Sequence, residues 1–242
     1  MTHSSATLDV LFDGKLRFFQ SKRGYRFSLD ALLLPAFATV RARDAVADLG
    51  TGCGVMALIL ARRYPRINVL GIEYQAALAR QAQRNAQENG FAERVEIIQG
   101  DIRNIASLAV AQSFDAIVCN PPYRRVASGR TSPNDERRAA RHELHGGLED
   151  FLNAAAYLAR NKGHVAFVYL ADRAVELLVG LRARRLEPKR VRFVHSFVGA
   201  EASLVLVEAV KAGRAEVKIL PPLIVYREGK EYTDEVAAII RG

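Results

Sequence analysis

From residue 45 to about residue 210, short apolar runs alternate with longer stretches whose apolar residues recur every three to four positions. The runs at 45–49, 67–72, 114–119 and 165–170 have the length of buried strands, and 94–99 alternates apolar and polar residues as a strand does. Helical patterns occupy 55–63, 74–89, 148–160 and 172–184; Gly90 stops the second of these, and Asp172 is placed to cap the last. Strand and helix in alternation predict an α/β fold with a mostly parallel, doubly wound sheet and helices on both faces. Residues 191–198 and 202–210 read as a closing strand pair, joined by a helix-free connection that permits the last strand to run antiparallel.

The ends of the chain read differently. Residues 10–12 and 16–19 flank Asp13-Gly14, a hairpin signal because glycine accepts a positive φ. A basic and aromatic stretch follows, Lys22, Arg23, Tyr25, Arg26 and Phe27. Ser28 can then cap a helix through Asp30 and Leu34, with Pro35 tolerated only in or near the first turn. After residue 210 come two short extended pieces around Pro221-Pro222 and a helix capped by Thr233 or Asp234. These boundaries divide the chain into an N-terminal hairpin and helix extension (1–44), a central domain (45–210) and a C-terminal extension (211–242).

Composition adds a bias toward polyanions. The 242 residues are 50% hydrophobic, enough for a substantial core, and carry a formal charge of +9 with a pI near 9.8. Such an excess favours nucleic acid as a partner. The two cysteines, Cys53 and Cys119, lie in apolar segments and read as reduced, buried thiols, and the sequence shows neither a leader nor a bilayer-spanning run. The expectation is a cytoplasmic protein with no membrane association.

Candidate chemistry collects at the ends of the strands. Asn120-Pro121-Pro122-Tyr123 ends the run 114–119, and its two prolines forbid continuation as strand or helix. The chain must leave the strand as a rigid loop that presents an amide, carbonyls and a ring, groups suited to gripping a flat amino group such as adenine N6. Ligands of open α/β sheets bind at this carboxyl edge. Gly50-Thr51-Gly52-Cys53-Gly54 joins the first core strand to a helix, where backbone can approach a ligand closely. Glu73 ends the second strand, 25 residues after Asp48, near the position of a ribose-binding acid. Asp101 ends the third, where it could accept from an adenine amino group. Residues 124–147 are irregular and arginine-rich, with Arg124, Arg125 and Arg130 nearest the motif. His142-Glu143-Leu144-His145 is one residue short of the spacing that puts two zinc-binding histidines on one helical face, so no metal is expected.

Together 48–54, Glu73, Gly100-Asp101 and 120–123 resemble class I S-adenosylmethionine-dependent methyltransferases, and within them the amino-methylating enzymes with an N-P-P-Y motif. Residues 25–30 and 223–233 are similar to bacterial enzymes that methylate N6 of an adenine beside the anticodon of a valine tRNA. The resemblance implies a Rossmann-like, seven-stranded sheet with S-adenosylmethionine as cofactor. It implies cofactor contacts from Asp48, Gly50, Thr51, Gly52, Cys53, Gly54, Glu73, Asp101, Ile102 and Asn120. Asn120, Pro121, Pro122 and Tyr123 would be catalytic, and Lys22, Arg23, Tyr25, Arg26, Arg124, Arg125 and Arg130 would touch RNA. Other N-P-P-Y enzymes act on ribosomal RNA guanine, DNA adenine or a protein glutamine, and a non-catalytic RNA-binding relic is a further alternative. Neither the target nucleotide nor the oligomeric state follows from the residues.

Overall fold

The computed structural model describes residues 6–21, 28–122 and 147–242. Strands β1 (Ala6–Leu11) and β2 (Leu16–Ser21) form the antiparallel hairpin expected from Asp13-Gly14, with Phe12, Asp13 and Gly14 all at positive φ in the turn. Helix α1 (Asp30–Phe37) follows. The central unit comprises β3 (Ala45–Leu49), α2 (Val55–Arg63), β4 (Asn68–Glu73), α3 (Ala76–Glu88), β5 (Val95–Gln99), the short α4 (Ile105–Leu108) and β6 (Phe114–Cys119). It continues through α5 (Leu148–Leu158), β7 (Ala159–Leu170), α6 (Ala174–Ala183), β8 (Leu186–His195) and β9 (Ala202–Lys211). Two-residue strands β10 (Lys218–Ile219) and β11 (Leu223–Ile224) and helix α7 (Asp234–Arg241) complete the described chain.

The large sheet runs β10-β8-β9-β7-β6-β3-β4-β5, with β11 also paired to β8. β9 alone runs antiparallel to its neighbours, as expected for the last core strand. The two C-terminal strands lengthen the predicted seven-stranded sheet by pairing in parallel with β8. Side chains of successive strand residues point to opposite faces, so each strand feeds two cores. Val46, Val118, Val168 and Leu206 join α1, α2, α3 and α7 in one core, and Ala47, Leu49, Ile117, Phe167 and Val207 join α5 and α6 in the other.

Several boundaries differ from the sequence expectation. Pro35 is the sixth residue of α1, not a first-turn residue; the helix ends two residues later, so the missing N–H removes one late-turn bond. Helical periodicity suggested a helix to residue 160, but pairing with β6 takes over at Ala159 and begins β7 there. A 3-10 turn at Ala171–Arg173 precedes α6, so Asp172 lies before that helix and not at its cap. β8 starts at Leu186, paired with Lys211.

The hairpin is tied to the central unit by α3. Phe12, Leu16 and Phe18 are buried in the first core. Asn85, fully buried, accepts from Phe19 N–H at 2.9 Å and donates to the Cys53 carbonyl at 2.9 Å. Asn89 accepts from Arg17 N–H and donates to Arg17 C=O, at 2.9 and 2.7 Å. The two amides thus offer β2 the pattern of a neighbouring strand.

At its other end α1 is held by the sheet. Arg190 donates to the Phe37 carbonyl at 2.6 Å, and buried Glu208 accepts from Thr39 N–H at 2.6 Å and from Arg190 Nε at 3.0 Å. Burial alone would raise the Glu208 pKa; His164, Arg190 and Thr39 outweigh it and hold the carboxyl at about 2.

Candidate active site

Register places four loops on one rim. Leu49 pairs with Ile72 and Cys119, and Glu73 pairs with Gln99, so Gly50, Glu73, Gly100-Asp101 and Asn120 leave their strands side by side. The glycine loop is pinned there by its own backbone, since Gly50 and Thr51 N–H both donate to the Ile72 carbonyl, at 2.9 and 3.0 Å.

The loop's shape demands glycine. Gly50, Gly52 and Gly54 have φ of 70°, 60° and 87°. A Cβ on Gly50 would sit 3.0 Å from the Phe151 ring, and one on Gly54 would sit 3.2 Å from Ala82. Gly54 also has no side chain with which to cap α2. Asp48 does this from six residues earlier: its Oδ2 accepts from Ala57 N–H at 3.2 Å and from the Thr51 hydroxyl at 2.7 Å. Its Oδ1 is buried without a partner. Burial pushes the Asp48 pKa up to about 7 against the pull of the Thr51 and Ala57 bonds, and the nearby Glu73 charge adds to the rise.

Glu73, 6% exposed, accepts from Gly52 N–H at 2.9 Å and from Gln75 N–H at 2.8 Å, which joins the glycine loop to the turn after β4. Asp101 is gripped by Arg103 through Nε and Nη2, at 2.9 and 2.6 Å, and these bonds lower its pKa. Cys53 and Cys119 are both buried; burial pushes Cys53 up to about 12 and raises Cys119 as well, so both are thiols.

A cleft opens between these loops, lined by Gly50, Gly52, Glu73, Tyr74, Leu78, Gly100, Ile102, Asn120, Pro122 and Phe151. Thr51, Cys53 and Asp48 lie behind its glycine wall, buried. Tyr74, Leu78 and Phe151 were not singled out in the sequence. Tyr74 follows directly on the strand-end acid and could have been; Phe151 lies on α5, a hundred residues from the loop it touches. Tyr123, Lys22, Arg23, Tyr25, Arg26, Arg124, Arg125, Arg130 and the segment His142–His145 lie outside the described residues. A cavity of about 290 Å³ lies elsewhere, between the hairpin, α1, α2 and α7, and none of the strand-end residues lines it.

The cleft fits an adenosyl amino-acid cofactor. Positive-φ glycines allow close approach of a ligand, an acid at the end of β4 can take ribose hydroxyls, and Ile72, Leu78, Ile102 and Phe151 offer apolar walls to a base. Fold and site together define a class I methyltransferase.

The comparisons agree. The methyltransferase small domain family matches residues 29–147. A tRNA1(Val) (adenine(37)-N6)-methyltransferase from Porphyromonas gingivalis is 34% identical over 189 residues, covering 76% of this chain and 73% of its own. The Actinobacillus succinogenes protein of the same name is 33% identical over 213 residues, covering 88% and 87%. This chain belongs to the family of tRNA1(Val) (adenine(37)-N6)-methyltransferases. Among solved structures, a predicted O-methyltransferase from Agrobacterium tumefaciens superimposes with a TM-score of 0.72 at 23% identity, covering 88% of this chain and 97% of its own. TrmN from Thermus thermophilus gives 0.56 at 22% identity, covering 75% and 48%. Both show the same fold. Among the described residues no helix is long and apolar enough to cross a membrane.

Proposed function

We propose that this protein methylates the exocyclic N6 of adenine 37 in tRNA1(Val), in the cytoplasm, with S-adenosylmethionine as donor. The observation that carries the reading is the position of Asn120-Pro121-Pro122, at the end of β6 and beside the glycine-loop cleft. The cofactor, when bound, supplies an electrophilic methyl group on a sulfonium.

The protein's part is positioning. The nitrogen lone pair of an adenine amino group is delocalised into the ring and is a poor nucleophile. Asn120 Oδ1 and the Pro121 carbonyl accept its two N–H bonds, turn the nitrogen toward the methyl and stabilise the positive charge that develops on it. Tyr123 stacks on the target ring. Glu73 holds the ribose hydroxyls of the cofactor, Gly50, Gly52 and Gly54 its amino-acid end, and Asp101 and Ile102 its base, while Asp48 keeps the loop in shape. The proton released from the substituted nitrogen passes to solvent, and no general base is assigned. An adenine in an anticodon loop reaches such a pocket at small unstacking cost. Lys22, Arg23, Tyr25, Arg26, Arg124, Arg125 and Arg130 contact the tRNA backbone or stack on its bases.

The test is transfer of labelled methyl to tRNA from cells that lack the modification, with the nucleoside identified by mass. N6-methyladenosine at position 37 is expected. Asn120→Ala should lower kcat about a hundredfold or more. Label in guanine, DNA or protein instead would overturn the target and leave the chemistry standing.

A further inference from the structure

An asparagine can grip an amino group only with its oxygen, and its amide is free in principle to present either end. In this protein the ambiguity is removed by a residue 90 positions earlier in the chain. Asn120 Nδ2 donates to Asp30 Oδ2 at 3.1 Å. Asp30 is the first residue of α1 and is 5% exposed. Its other oxygen is held in turn, accepting from Ala31 N–H at 3.1 Å and from the Ser28 hydroxyl.

A carboxylate accepts hydrogen bonds and cannot donate them. Only the nitrogen end of the Asn120 amide can therefore face Asp30, which turns Oδ1 to the opposite side of the group. Rotating the amide by half a turn would set an oxygen against an oxygen anion in a buried place, exchanging a charge-assisted bond for a repulsion.

We propose that Asp30 is a positioning residue for methyl transfer: it fixes the Asn120 amide so that Oδ1 is the end offered to the target amino group. The proposal rests on the methyltransferase reading given above. It also gives a role to α1, which precedes the central sheet and carries none of the strand-end groups.

The test is a double-mutant cycle on kcat with the tRNA acceptor, using Asp30→Ala, Asp30→Asn and Asn120→Ala. Asp30→Ala should lower kcat about tenfold to a hundredfold, with cofactor affinity within about twofold. Asp30→Asn has a single acceptor oxygen, which Ala31 N–H claims, so its NH2 meets Asn120 and favours the reversed amide; it should lose at least as much kcat as Asp30→Ala, and it covers the case in which the alanine variant folds poorly. In the Asn120→Ala background, Asp30→Ala should cost nothing further, because the group it orients is gone. An equal loss in both backgrounds, or no loss in either, would overturn the proposal.

A second readout does not use turnover. The Asn120 side-chain amide protons, assigned by their absence in Asn120→Ala, should be shifted downfield and exchange slowly in the wild type. Both features should be lost in Asp30→Ala and in Asp30→Asn; unchanged protons in Asp30→Ala would refute the link. Wild-type protein that leaves tRNA unlabelled would fail the functional reading alone, and the amide protons would still decide the role of Asp30.

Discussion

Asp48 offers the sharpest test of how the glycine loop is held. It is completely buried, its Oδ1 has no partner, and its pKa lies at about 7 against an ordinary 3.8. Below pH 3.8 both the folded and the unfolded chain carry the proton. Between 3.8 and about 7 the unfolded chain gives it up and the folded chain keeps it. Stability due to this group therefore falls as pH rises through that window and is level above it. At 1.36 kcal/mol per pH unit the whole effect is about 4 kcal/mol.

Asp48→Asn isolates the effect. The amide oxygen can accept from Thr51 and Ala57 in place of Oδ2, and the amide nitrogen stands where the protonated acid would put its hydroxyl. The variant thus mimics the neutral acid at every pH. Urea unfolding of both proteins at pH 4 and pH 8 gives two stability differences, and subtracting them cancels any fixed cost of the amide. The variant should gain about 4 kcal/mol on the wild type between the two pH values. Parallel pH profiles would show that the carboxyl ionises in the folded state as easily as in the unfolded one, and the account of a buried, half-satisfied acid would fail.

Three further outcomes are expected. Glu208→Gln should remove a stabilisation that the wild type has above pH 4.5 and loses as pH falls toward about 2, worth about 3 kcal/mol, read from acid titrations of the two proteins in parallel. Asn85→Ala leaves Phe19 N–H and the Cys53 carbonyl without their partner and should cost about 2–4 kcal/mol in urea unfolding, with faster proteolytic cleavage within residues 6–21. Gly50→Ala imposes a side chain at φ 70° and against the Phe151 ring, a strain of about 1–2 kcal/mol, and calorimetry should find S-adenosylmethionine bound at least about tenfold more weakly than by the wild type.

The parallel sheet was legible because its signals are local. A short apolar run that ends in glycines, in an acid or in Asn-Pro-Pro states both the strand and the loop that follows, so the sequence alone aligns Asp48 and its glycines, Glu73, Asp101 and Asn120 on one rim. Boundaries were less legible where two local signals overlap. Ala159 and Arg160 continue the helical pattern of α5, and only the pairing of Ala159 with Phe114 on β6 turns the chain to strand there. Contacts across the fold left no local trace. Asp30 reads as an ordinary first-turn acid, Asn85 as one more polar residue in a polar helix, and Phe151 as a core phenylalanine. Each acquires its role from a backbone or side chain 32 to 101 residues distant; Asp30 meets Asn120 only with α1 docked, and Asn85 meets Phe19 only with the hairpin docked.

These contacts also explain how elements added before the sheet could govern its chemistry. Helix α1 is fastened at its carboxyl end, where Arg190 binds the Phe37 carbonyl and Glu208 binds Thr39, and it carries Asp30 at its amino end. Its eight residues make a rod about 12 Å long at 1.5 Å per residue. Tilting such a rod by about 5° about its fixed end displaces the other by about 1 Å, enough to break the 3.1 Å bond from Asn120 to Asp30. The Glu208–Arg190 ion pair between β8 and β9 thus holds one end of a short rod whose other end meets the Asn120 amide. In the proposed mechanism Asn120 is the group that needs precise placement, and the two prolines after it and a helix anchored at β8 and β9 both restrain it, as methyl transfer to a weak nucleophile demands.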